Sequence, residues 1–290
     1  MIYDEPIFRS MGDLAINVEF GDESSIPLNF RILSLSFAIA AHPLRGIIET
    51  NPQVRTLSVV YDPLVVSGAK VEAYLKEMIG GLGRVTTLSS RRLEIPALYD
   101  DPWSRECAAE FGVRHNMDYI AEFNGMSVDE IVSAHTGTDY WVTGVGFVPG
   151  TFVSYSMDPK LRIGAPLYRV PRTHTPARLL NFGGYTSTIY PFENPGGGQL
   201  FGRTPLEIFD AEERNPVFSD GPVLARCGDR HRYRAIDREE YDAIRAEVEA
   251  GNYDYRIEEE AFDCAAYLRG LKAQGELLEK RDPAATWEVA

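Results

Sequence analysis

GGYTSTIYPFENPGGGQLFGRTPLEIF, residues Gly183 to Phe209, decides the architecture. Short β-like runs alternate with Pro191, Pro195 and the triple glycine Gly196, Gly197, Gly198, and the stretch closes on Gly-Arg-Thr-Pro. Glycine inside an element costs roughly 0.5–1 kcal/mol relative to alanine, so a chain keeps it where φ must be positive or where backbone must approach another group. Arg203 follows Gly198 by five residues and is expected within reach of whatever the loop cradles. Backbone N–H donors beside a guanidinium suit a carboxylate or an oxyanion. The other reading is a tight barrel corner, with Arg203 paired to a structural acid.

Outward from this stretch, short strands between Gly and Pro continue from Tyr140 to Arg234, the pattern of a barrel or sandwich. Residues 1–90 alternate strand and helix. Leu14–Phe20 and the β-branched Thr56–Tyr61 read as strands, Asn29–Ala41 and Ala69–Ile79 as helices, together a small α/β layer with helices on one face of a sheet. Ser89–Arg92 reads as a polar hinge. Helices then follow over Ser104–Phe111, closed by Gly112, and Asp118–Phe123, closed by Gly125, and a third opens at the capping box Ser127–Glu130. Asp237–Glu240 is a second capping box; Gly251 ends its helix, Asn252–Glu260 is extended, and Phe262 opens a charged amphipathic helix. The expected fold class is α+β: an α/β sandwich over 1–90, a barrel or sandwich of short strands over 91–236 and a helical C-terminal extension over 237–290.

The 290 residues carry a formal net charge of −14, which argues against nucleic acid and anionic membrane as partners. No apolar run approaches the ~20 residues of a bilayer span, and the N-terminus shows no secretory signal. Cys107, Cys227 and Cys264 are odd in number and far apart, which fits a reducing cytoplasm and excludes a disulfide framework. The five histidines, His42, His115, His135, His174 and His231, show no ligand spacing, so no metal site is expected. There is no GxxxxGK[ST], GxSxG or HExxH, and no Met-Lys biotin acceptor, so a partner is expected to complete any active site.

The combination of Gly-Phe-x-Pro-Gly at Gly146–Gly150, Asp158-Pro159, Tyr190-Pro191, Pro195-Gly-Gly-x-Gln-Leu200 and Gly202-Arg-Thr-Pro205 resembles the allophanate hydrolase subunit 1 family. That family includes KipI-type proteins, the B subunit of bacterial 5-oxoprolinase and the second half of the urea carboxylase carboxyltransferase domain. The resemblance covers about Phe8 to Leu268. It implies a cyclophilin-like barrel. The tail, with Gly251, Tyr253, Ile257-Glu258-Glu259 and Phe262, is similar to the urea carboxylase branch. Leu167 departs from that branch, where a lysine is usual. The resemblance implies a cytoplasmic small subunit of a carboxyltransferase, moving CO2 from carboxybiotin to a nitrogen of urea or a related amide or guanidine compound. Biotin would ride on a separate carrier, ATP would be used by a separate biotin carboxylase, and a subunit-2-type chain would share the active site. The alternatives are the B subunit of an ATP-dependent 5-oxoprolinase-type lactamase, or a KipI-like histidine-kinase inhibitor.

Such a transfer needs oxyanion donors, for which Arg203 and the amides of Gly196, Gly197 and Gly198 are candidates. Tyr190 and Asn194 share the loop and could donate to a substrate carbonyl; tyrosines in loops also simply pack. His174, within Arg172-Thr-His-Thr-Pro176, is the candidate for proton transfer, against the reading of a satisfied barrel histidine. Asp139 and Asp158 are either general bases or cap and turn residues, and Phe147-Val-Pro-Gly150 reads as a turn with Phe147 in the core.

Overall fold

The computed structural model describes residues 1–273. The far end of the charged helix expected after Phe262 lies outside the described residues. Contacts divide the chain into two compact units, one of residues 1–90 with 260–273, the other of 91–259.

The first unit opens with β1 (Ile2–Met11), β2 (Ala15–Gly21), α1 (Ile26–Ala41), β3 (Ile47–Pro52), β4 (Thr56–Tyr61) and α2 (Gly68–Gly81). The strands form an antiparallel sheet in the order β1-β2-β4-β3. Period-two alternation buries Ile16, Val18 and Phe20 of β2 and Leu57, Val59 and Tyr61 of β4 against Leu28, Ile32, Leu35, Val71 and Leu75 of the two helices. α1 starts three residues ahead of the apolar run, because Ser25 accepts from the Leu28 N–H at 3.4 Å and Pro27 fits the first turn.

The second unit contains β5 (Thr87–Tyr99) from Arg91 onward, α3 (Pro102–Glu110), α4 (Asn116–Asn124), α5 (Val128–Thr136), β6 (Asp139–Val145) and β7 (Phe152–Ser156). It continues through β8 (Arg172–Thr175), β9 (Leu179–Gly183), β10 (Thr186–Ile189), β11 (Asn194–Gly196), β12 (Gln199–Arg203), β13 (Arg230–Ala235), α6 (Arg238–Glu249) and the start of β14 (Ile257–Asp263). α7 (Cys264–Ala273) returns to the first unit, where Tyr267 meets Phe30 of α1 at 5.8 Å. The large sheet runs β12-β9-β10-β7-β6-β13-β5-β14, and β12 also pairs with β5, so seven strands form a closed circuit of pairings. β13 and β5 are parallel, the other registered pairs of this sheet antiparallel. β8 and β11 form a separate two-stranded ladder.

Local signals explain most helix ends. Ser127 accepts from the Glu130 N–H at 3.2 Å and Glu130 returns the bond at 2.7 Å, a complete capping box. Gly125 closes α4 at φ 64°. At α6 only half of the expected box forms. Asp237 accepts from the Glu240 N–H at 2.9 Å, but the Glu240 carboxylate is 2.7 Å from the Arg234 guanidinium instead. The expected hinge at Ser89–Arg92 lies inside β5, where Arg91 is held by Asp229 and Arg92 by Asp139.

The interior of the second unit is aromatic: Tyr140, Phe152, Phe182, Phe201, Phe218 and Tyr233 are fully buried. His135 sits among them with its Nδ1 2.7 Å from the Tyr99 hydroxyl and its Nε2 3.3 Å from Ser187 Oγ. Phe147 is not in this core. Its φ of 82°, between Gly146 and Gly150, turns the ring outward and leaves it 86% exposed. Gly150 is the residue that seats the turn, since a Cβ there would lie 2.6 Å from Phe209 and 3.2 Å from Pro191.

Candidate functional site

The triple glycine links β11 to β12, and none of its three residues takes a positive φ. Close approach is what requires them. A Cβ on Gly196 would lie 2.0 Å from the Tyr190 hydroxyl and 2.5 Å from its ring, and one on Gly198 would lie 2.1 Å from Asn181 Oδ1. Gly197 has room, with its nearest neighbour at 3.5 Å. Alanine at 196 or 198 is therefore expected to cost about 1–3 kcal/mol by overpacking, whereas Gly197→Ala is tolerated; urea unfolding of the three variants checks the order.

This close packing assembles a site around Arg172, at the start of β8. Gly196 pairs with Arg172 across the ladder, and Asn194 pairs with Thr175. The Arg172 guanidinium is buried, 3% exposed. Its Nε donates to Thr175 Oγ1 at 3.2 Å and its Nη2 to the Gly198 carbonyl at 2.8 Å. The Gly198 N–H in turn donates to the Tyr190 hydroxyl at 3.4 Å. Among the described residues no carboxylate pairs with Arg172, and its buried Nη1 has no hydrogen-bond partner. Asn194 uses its Nδ2 on the Phe192 carbonyl at 2.7 Å, while its Oδ1, also buried, has no donor. Gln199 is similar: Nε2 donates to Pro166 O at 2.9 Å and the buried Oε1 is unpartnered. Native interiors leave few such atoms unmet. Here a cationic donor and one amide acceptor are unmet on the small β8–β11 ladder, and a second amide acceptor is unmet at the start of β12.

Tyr190, Asn194, Gly196 and Gly198 are thus brought together, around an arginine that the sequence motifs do not single out. Arg203 is not with them. It ends β12, four residues beyond Gln199, which on an extended strand is roughly 13 Å. Its Nε donates to Ala177 O at 3.1 Å and its guanidinium lies 4.4 Å from the Trp103 ring centroid, with Arg238 at 4.8 Å from the same ring. Burial lowers its pKa, and no acid is bonded to it among the described residues. Nearby Asp101 caps α3 through Oδ1, while its buried Oδ2 is unpartnered and burial raises its pKa. His174 points elsewhere too, with Nε2 3.1 Å from Glu110 and the ring 5.0 Å from Phe111. Asp158 caps a turn through the Lys160 N–H, and Asp139 is ringed by Arg92, Arg230 and Arg232. Leu167 packs over the loop, beside Gly183 and Gly197. Among the described residues no cluster suits a metal ion, and no helix is long and apolar enough to cross a membrane.

The family model for the carboxyltransferase domain, subdomains C and D, matches residues 6–219. The chain belongs to this carboxyltransferase family. It is 30% identical over 249 residues to the 5-oxoprolinase B subunit of Bacillus subtilis, covering 82% of this chain and 96% of that protein. It is 28% identical over 280 residues to the urea amidolyase of Lachancea kluyveri, covering 91% of this chain but 15% of that protein. The urea carboxylase structure from Kluyveromyces lactis superposes with a TM-score of 0.83 at 23% identity, over 94% of this chain and 26% of that one. The chain therefore spans nearly all of a bacterial subunit and a minor segment of the long yeast enzymes.

Proposed function

We propose that this chain supplies one half of a carboxyl- or acyl-transfer site that recognises the edge of an amide or ureido group. The observation that carries the reading is the pair of buried, unpartnered atoms flanking Thr175: the Arg172 Nη1 donor and the Asn194 Oδ1 acceptor. A planar group with a C=O beside an N–H is their complement, and the preorganised guanidinium would stabilise charge developing on that oxygen. The closed circuit of seven strands supports reading this unit as a cyclophilin-like barrel.

The reading in which this site serves a urea carboxylase-type carboxyltransferase draws on the similarity to yeast urea amidolyase over 91% of this chain. In it the chain is the small subunit, with CO2 passed to a nitrogen of urea or a related amide or guanidine compound. Biotin on a separate carrier would supply the carboxyl group, and ATP would be used elsewhere in the complex. The two unpartnered atoms have the chemistry a ureido ring needs: Arg172 would take its oxygen and Asn194 its N–H. A subunit-2-type partner would complete the site and exclude water, so the isolated chain is expected to be silent. The three cysteines, all free, suit a cytoplasmic complex.

A second reading, the B subunit of an ATP-dependent lactamase, is favoured by the match over 96% of the Bacillus subtilis protein. A lactam presents the same C=O and N–H edge. Reconstitution with the partner chains separates the two. The carboxyltransferase reading expects ATP-dependent, avidin-sensitive fixation of labelled bicarbonate. Lactam opening that proceeds with avidin present and bicarbonate absent would replace it with the second.

A further inference from the structure

Behind Arg172 lies a second layer of residues, on α4 and in the loop that precedes β8. The Tyr168 ring centroid is 5.1 Å from the Arg172 guanidinium, and the Tyr168 N–H donates to Gly197 O at 2.8 Å. Asn116, at the first position of α4, is fully buried. Its Nδ2 donates to the Tyr168 hydroxyl and to Arg114 O, and its Oδ1 accepts from the Leu200 N–H at 2.8 Å. Both amide protons and the amide oxygen are therefore engaged, and one side chain ties together the start of α4, the loop carrying Tyr168, and β12. Burial raises the Tyr168 pKa, so the ring under the guanidinium is a neutral phenol.

A guanidinium is a rigid plane of five donors, so the direction of its Nη1 is set once the tilt of that plane is set. Thr175 and the Gly198 carbonyl hold two edges of the Arg172 plane. The remaining freedom is rotation about the line through them, which the Tyr168 ring, 5.1 Å away, limits. We infer that Asn116 and Tyr168 are positioning residues, which fix the plane of the Arg172 guanidinium and so aim its Nη1 at the ligand. The inference rests on the reading that Arg172 receives the ligand, but the orientation of Arg172 can be observed without one.

The test uses the full chain labelled with nitrogen-15, the Nε–Hε signal of Arg172, and 2-imidazolidone as the probe ligand. In the wild type the signal is expected to be shifted by the Tyr168 ring and to exchange slowly with water. Tyr168→Phe keeps the ring and removes its anchor. It is expected to speed that exchange at least about tenfold, as a local opening would, and to weaken 2-imidazolidone binding about tenfold, the value of one lost hydrogen bond. Asn116→Asp, which keeps the acceptor for Leu200 and loses both donors, is expected to do the same. If either variant, folded by its amide spectrum, leaves the Arg172 signal and its exchange at wild-type values, the inference fails. If the wild type binds no 2-imidazolidone while the Arg172 signal still responds to Tyr168→Phe, positioning stands and the ligand reading falls.

Discussion

Arg172→Met is expected to lower turnover of the reconstituted complex by about 10²–10³, the usual effect of deleting one oxyanion donor, without weakening the fold. The two halves of that expectation have one cause. A buried guanidinium with no carboxylate beside it is desolvated without the attraction that would offset the loss. Methionine removes that penalty of several kcal/mol, leaves the Gly198 carbonyl short of a donor, at about 1–3 kcal/mol, and loses the cation contact with the Tyr168 ring, at about 2 kcal/mol. Unfolding free energy should therefore change little. A structural arginine in a buried ion pair behaves oppositely, costing about 3–5 kcal/mol when removed. Urea unfolding and steady-state kinetics on the same preparation distinguish the two. Arg203→Met is the paired control. Loss of the contacts to Trp103 and Ala177 should act on stability, and a large loss of turnover with unchanged unfolding would move the site to Arg203.

The second large effect is on acid stability. His135 and His231 are both buried in the second unit, and burial pulls each pKa down to about 3, with Arg91 adding to the effect at His231. In the unfolded chain each titrates near 6.5. Between those values the unfolded state binds protons that the native state does not, so stability rises with pH there. The contribution is fully present above about pH 6.5 and is lost as pH falls toward 3. At pH 4.5 the two histidines together should have removed about 5 kcal/mol, a large part of the 5–15 kcal/mol typical of a folded domain. Asp101 and Asp229, whose pKa values burial raises, act with the opposite sign. The clean measurement is therefore comparative. Between pH 4.5 and 6, His135→Gln should show about half the histidine-driven slope of unfolding free energy against pH. An unchanged slope would show that His135 is protonated in the fold.

Much of this architecture is legible in single residues. Thr56–Tyr61 is rich in β-branched residues and is a strand over those residues; Ser127 and Glu130 form the box their spacing predicts. The parallel pairing of β13 with β5 joins segments more than a hundred residues apart and has no local signature. The site was half legible for a geometric reason. The glycines mark a close approach, but a strand carries Arg203 away from it while the ladder brings Arg172 in from an earlier segment. Proximity in sequence misleads wherever an intervening run is extended. The proton-transfer candidate shows a similar limit: His174 pairs with Glu110 near the surface, and the enclosed histidines are His135 and His231, of which His135 on α5 carries in its spacing no sign of the ring of aromatics around it.

In the proposed site Arg172 and Asn194 together read a C=O and an adjacent N–H. The most direct test is an NMR titration of the full chain with 2-imidazolidone, compared with its 1,3-dimethyl derivative, which keeps the carbonyl and lacks both N–H donors. Saturable shifts are expected at the Arg172 Nε–Hε and the Asn194 side-chain amide with the first compound. Binding of the second should be at least about tenfold weaker, because Asn194 Oδ1 is left buried and unmet. Equal responses to the two compounds, or shifts that bypass both residues, would contradict it.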